Sequence, residues 1–141
     1  MCRAYCNAGM SNLTHNTVTT IVLDTETYDV GSNFNTGTYT FTTPVAGYYL
    51  ICASIGYSNV VSSARYDTMV YIDGALLVCG IQQLDATGPA NIELAPFVSD
   101  IFYIASGKTI QLKGIVRHAS ADTVDVAGSS NKTFMTIMLL A

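Results

Sequence analysis

The chain has 141 residues, half of them apolar and only 11% charged, with a net charge of −4 at pH 7. An average soluble protein carries about 25% charged residues, so so little charge beside so much apolar content points to protein surface hidden in an assembly. Six Lys and Arg scattered singly give no basic tract for phosphates, which argues against a nucleic-acid partner, and no apolar run is long enough to span a membrane as a helix.

Helical periodicity is absent throughout; short β-rich segments alternate with Gly, Asn, Asp, Pro and Ser, the pattern of an all-β sandwich or barrel. Strands are predicted near 2–7, 17–24, 37–42, 47–57, 66–73, 75–82, 90–95, 97–104, 108–117 and 132–140. The opening "MCRAYCNAGMSN" lacks the apolar stretch of a secretion signal. On a strand, Cys2 and Cys6 share a face but stand roughly 13 Å apart, beyond disulfide reach. Cys52 and Cys79 lie in apolar strands and read as small buried hydrophobes. Four free thiols suit folding in a reducing cytoplasm, including that of a virus-infected cell.

His15 falls in the polar segment "SNLTHNT" and His118 opens another, and both read as exposed loop residues rather than general bases. The sequence has no nucleophile elbow and no Cys nucleophile context beside them, so an enzyme is not expected. A zinc set of Cys2, Cys6, His15 and His118 fails on the Cys spacing. "DTETYD" gathers Asp24, Glu26 and Asp29, and Asp122 and Asp125 follow later. Neither group has a fixed-spacing calcium loop, so no cofactor is expected and the acids read as a solvated edge. Asp29 begins a turn cluster and is expected to cap it locally. Asn12-Leu13-Thr14 and Asn131-Lys132-Thr133 match the glycosylation pattern by chance if no leader directs secretion.

"PVAG" at 44–47 and "ASGK" at 105–108 are turns, and Asp73-Gly74 between "TMVYI" and "ALLVCGI" is a two-residue hairpin signal. The polar stretch 118–132 is expected to be the longest loop. Segments 118–132 and 58–66 are the candidate outward binding loops, with Arg65, His118, Asp122 and Asp125 as their contact residues.

Three strands refuse the alternation of a half-buried strand. In "GYYLICASIGY", Tyr48, Leu50 and Cys52 oppose Tyr49, Ile51 and Ala53, and both sets are apolar. "APFVSDIFYI" and the closing "TFMTIMLLA" behave alike. Each strand of a two-sheet sandwich has one core face, so the second apolar face predicts an oligomer. Tyr5, Tyr49, Ile51, Phe102, Phe134, Ile137, Met138 and Leu140 are the candidate core and interface residues, with the parity facing the partner left open.

The block "YDVGSNFNTGTYTFTTPVAGYYLI" (28–51) resembles the signature of the complement component 1q globular-head family, within the tumour-necrosis-factor-like superfamily. The matching residues are Tyr28, Asp29, Phe34, Asn35, Gly37, Tyr39, Phe41, Pro44, Gly47 and Tyr49, joined by "YIDG" (71–74), "GKTIQLKG" and the apolar closing strand. Gly107-Lys108 departs from the Gly-Asp common in that family. The resemblance implies one domain over 1–141, a ten-stranded jelly roll of two five-stranded sheets, and a homotrimer. It implies the stand-alone type of bacteriophage or bacterial surfaces, since the domain fills the chain with no stalk. The expected function is a non-enzymatic virion structural protein, a capsid decoration or cement protein assembled in the host cytoplasm and bound to the major capsid protein or another virion protein. The alternative is an extracellular adhesin head whose partner is a cell-surface receptor or glycan.

Overall fold

The computed structural model describes residues 1–85, 92–118 and 123–140. Strands form in chain order as β1 (Cys2–Tyr5), β2 (Met10–Leu13), β3 (Thr19–Thr20), β4 (Thr25–Asp29), β5 (Phe34–Asn35), β6 (Thr40–Thr42) and β7 (Gly47–Ser54). They continue as β8 (Tyr57–Ser58), β9 (Ala64–Ile72), β10 (Ala75–Leu84), β11 (Phe97–Ile104), β12 (Thr109–Arg117), β13 (Val124–Val126) and β14 (Phe134–Leu139).

Eleven of these make two antiparallel sheets, of five and six strands. The first has the order β11-β7-β14-β1-β4 and the second β10-β9-β12-β6-β5, with the two-residue β3 also paired to β12 beside β6. This is the expected jelly roll of two antiparallel sheets, with β3 as an extra strand in the second. The other three, β2, β13 and β8, form a small separate sheet.

Alternation decides which side chains enter the space between the sheets. From the first sheet come Cys2, Ala4, Tyr49, Ile51, Ala53, Met135 and Ile137; from the second come Phe41, Tyr66, Val70, Ile110 and Leu112, all buried. The aromatic residues enter with their hydroxyls satisfied, as burial demands. Tyr49 donates to the Val45 carbonyl at 2.6 Å, and Tyr57 to the Asp67 carbonyl at 2.7 Å. Burial, then the nearby Asp67 carboxylate, pushes the Tyr57 phenol up.

Turns fall where their chemistry put them. Asp73 and Gly74 both take positive φ, 47° and 81°, as a two-residue hairpin turn requires. Gly107 takes φ 77° before β12. Asp29 does cap its turn: its Oδ2 accepts the Phe34 N–H at 2.8 Å.

Several elements differ from expectation. The strand expected at 17–24 is only β3, although Ile21 and Leu23 are fully buried beyond it. The acidic stretch read as a solvated edge is β4, and it does occupy the open edge of the first sheet. Of the strand expected at 90–95, residues 90 and 91 lie outside the described residues, and Leu94 alone forms a bridge, with Tyr57. The expected loop 118–132 holds β13, whose Val124 and Val126 are buried. Two valines flanking Asp125 were too short a pattern to register as a strand.

Candidate functional site

The side of the first sheet turned away from the core is apolar and open. Strand register arranges it in rows. Tyr103 lies beside Tyr48, Ile101 beside Leu50 and Met138, Ser99 beside Cys52, Thr136 and Arg3, and Phe97 beside Ser54, Phe134 and Tyr5. Leu140 continues the first row, its N–H donating to the Tyr48 carbonyl at 2.8 Å. Tyr48 and Tyr103 meet edge to face at 5.4 Å.

Fractional exposures are 66% for Tyr103, 56% for Tyr48, 54% for Phe97, 51% for Ile101, 44% for Leu140 and 38% for Met138. Scattered apolar residues on a surface need no explanation, but a contiguous field of them marks an interaction site. Completing the burial of six such side chains is worth roughly 1 kcal/mol each, taking half of a full side-chain burial.

One polar row crosses this field. Cys52 Sγ and Ser99 Oγ are 3.2 Å apart, and Arg3 donates to Thr136 Oγ1 at 2.9 Å and to the Ser130 carbonyl at 2.5 Å. The Arg3 guanidinium also lies 4.1 Å from the centre of the Phe134 ring. Among the described residues, Arg3 is the charge that the register brings onto this face.

The structure divides the predicted core and interface residues by parity. Tyr5, Phe134, Met138 and Leu140 fall on the open face, whereas Tyr49, Ile51 and Ile137 are core, with Phe102 packed against it. Tyr48, Leu50, Ile101 and Tyr103 belong to the face and were not among the named candidates. The signal that could have found the parity is Thr136, a polar residue inside β14 that marks its outward side.

Among the described residues, the predicted outward-loop residues do not stand in exposed loops. Arg65 lies on β9, not in a loop. His118 is 7% exposed at the end of β12, its ring 5.2 Å from His15, so the expectation of an exposed loop histidine is wrong for it. The segment carrying His15 runs beside it, with the Asn16 N–H donating to the Val116 carbonyl at 2.7 Å. Asp125, on β13, ties neighbouring segments: it accepts from the Asn12 N–H at 2.8 Å and from Asn59 Nδ2 at 2.6 Å. Asp122 lies outside the described residues.

All four cysteines are free. Cys2 and Cys6 are buried, whereas Cys52 and Cys79, expected as buried hydrophobes, are half-buried on outward sheet faces. Burial, then the Asp29 and Glu26 carboxylates, pushes the Cys2 thiol up to about 12; burial is also the main cause raising Cys6 and Cys79. These thiols are poor nucleophiles near neutral pH.

Solved structures match this arrangement over 99% of the chain. The Eiger TNF of S. frugiperda superposes with a TM-score of 0.71 at 16% identity, covering 91% of that chain. The globular domain of zebrafish complement 1qA gives 0.68 at 12%, covering 96% of it. Murine APRIL gives 0.66 at 14%, covering 98%. The chain has the tumour-necrosis-factor and complement-1q-like jelly-roll fold. No protein-family profile matches the sequence, and no curated protein matches it. The likeness of this jelly roll to its neighbours thus resides in backbone architecture.

Proposed function

We propose that the protein is a non-enzymatic structural protein that works as a homotrimer closed through the open face of the first sheet, and that it is carried on the surface of a virion. The observation that carries self-association is the contiguous field of Tyr48, Phe97, Ile101, Tyr103, Met138 and Leu140. Burial of this field contributes on the order of 6 kcal/mol per subunit, against the entropy of association. Trimerisation is the assembly that the sequence resemblance implies. The face offers no acid–base pair, and its one charge, Arg3, is already held by Thr136, Ser130 and Phe134. Four free thiols suit a protein made and assembled in a reducing cytoplasm.

Light scattering on the purified protein tests the assembly: a mass three times the 15.1 kDa of the chain is expected, and a stable monomer at micromolar concentration overturns it. Purified particles test the setting, since absence of the protein from them removes the virion role. A second reading, a head that binds a cell-surface ligand, is favoured by the cations that Arg65, Lys113 and Arg117 place on the opposite side of the sandwich.

A further inference from the structure

The outward face of the second sheet carries three of the chain's six Lys and Arg. The remaining cations are accounted for elsewhere. Lys108 pairs with Asp73 at 2.7 Å, Lys132 pairs with Glu93 at 2.6 Å, and Arg3 lies on the apolar face.

Arg65 and Arg117 stand directly opposite each other on β9 and β12. Like charges so placed repel unless something offsets them. Asp67, only 1% exposed, does so unequally. Its two oxygens take Arg65 Nε at 2.7 Å and the Arg65 terminal nitrogen at 2.8 Å, in the bidentate geometry that suits a guanidinium. Arg117 Nε is left at 3.5 Å from the same carboxylate, and its side chain is 46% exposed. Asp67 therefore leaves most of its five N–H donors to other partners. Lys113, four residues earlier on the same face of β12, stacks over Tyr71 at 4.7 Å. That spacing sets the two cations roughly 13 Å apart.

Among the described residues, the other charged groups near this face do not cancel the surplus. β10, β6, β5 and β3 carry no charged side chain. His15 and His118 lie towards the Arg117 end. Asp85 sits at the rim beyond β10, bound by Gln83 Nε2 at 2.6 Å. Three cations against Asp67 leave an excess of two, and counting Asp85 leaves one, on a chain whose net charge is −4. Met69 and Ile115 share this face with the cations but are each only 2% exposed, and of its exposed apolar residues Leu76 and Ile81 are separated along β10.

From this we infer that the outward face of the second sheet binds an acidic polysaccharide whose carboxylates seat on Arg117 and Lys113, with Arg65 completing the row. A protein interface centres on clustered aromatic or aliphatic anchors. Here Met69 and Ile115 at the centre are buried, and the groups left exposed around them are guanidinium, ammonium and amide, which suits a hydrated chain with charges repeated along it. The length of the row favours a polymer over a single small anion. The inference specifies the ligand class of the second functional reading, and it stands whether or not the apolar face closes a trimer.

The test is retention on immobilised polygalacturonate at low ionic strength, with immobilised dextran as the neutral control and immobilised polyglutamate as the acidic-peptide control. Wild-type protein should be retained on polygalacturonate alone and released by salt, because exposed charge contacts are screened. Lys113→Gln with Arg117→Gln should weaken binding by about tenfold, the loss of two charge-assisted contacts. Arg65 is kept, since its removal would bare the buried Asp67. Melting temperature and solution mass of the variant should match wild type, which separates this result from any failure of self-association. Wild-type flow-through, equal retention of the variant, or equal or stronger binding to polyglutamate each overturns the proposal, the last by pointing to an acidic protein instead.

Discussion

At Gly114 in β12 an added methyl group would come 2.5 Å from the Tyr57 hydroxyl oxygen and 3.0 Å from Ile55 Cδ1. The Tyr57 ring cannot swing aside, because it is fully buried, packs on Tyr66 at 5.3 Å and is held by its bond to the Asp67 carbonyl. Gly114→Ala should therefore destabilise the fold by about 1–3 kcal/mol through overpacking. Tyr57→Phe should cost about 1 kcal/mol for the lost hydrogen bond. The double variant should be more stable than the sum of the two losses predicts, because deleting the hydroxyl makes room for the methyl. Urea unfolding of the four proteins measures this; strict additivity would show that the clash is relieved elsewhere. Nothing in the sequence around "QLKGIV" announces the contact, since Tyr57 lies 57 residues away and reaches Gly114 only once the sandwich has closed.

The β9–β10 hairpin shows how one side chain ties two elements together. Asp73 sits in the turn and also receives the Lys108 ammonium at 2.7 Å, the Thr109 N–H at 2.9 Å and the Thr109 hydroxyl at 3.0 Å. These bonds, with Lys108 the largest cause, hold its carboxyl down from 3.8 to about 2. A depressed folded value means that the ionised group stabilises the fold at neutral pH. That contribution is lost as pH falls from about 4 to about 2. Asp73→Asn keeps a residue that tolerates the positive φ but removes the charge. The gap in melting temperature between wild type and Asp73→Asn should be constant above pH 4 and shrink towards pH 2. A gap unchanged across that window would show that the turn, and not the carboxylate, carries the effect. The hairpin itself was legible from Asp73-Gly74, because two-residue turns impose local backbone demands. β4 and β13 were not: "TETYD" and "VDV" become strands through pairing with β1 and with β2 and β8, partners distant in sequence. Pairing of that kind overrides local propensity.

Across the whole molecule, the two-sided apolar strands were the feature of the sequence that spoke about assembly, and the sandwich assigns the two sides different surroundings. Alternation alone shows that β14 has two apolar faces; which one meets the second sheet depends on how the sheets stack. Ile137 is 1% exposed in the core, one residue from Met138 on the open face. Reading the strand alone makes an aspartate at either position severe. The structure separates the two outcomes. Ile137→Asp buries an unpaired carboxylate between the sheets and should prevent stable folding, since an isolated charge there costs several kcal/mol. Met138→Asp leaves its charge in water while the chain is alone, so the isolated subunit should fold. In the proposed trimer the same charge is brought into an apolar field beside Leu50 and Ile101, so the assembly should fall apart into monomers. Circular dichroism and light scattering on the two variants distinguish these effects. A Met138→Asp protein that stays trimeric would place the subunit contact on another surface, and the apolar face would then need a different partner to cover it.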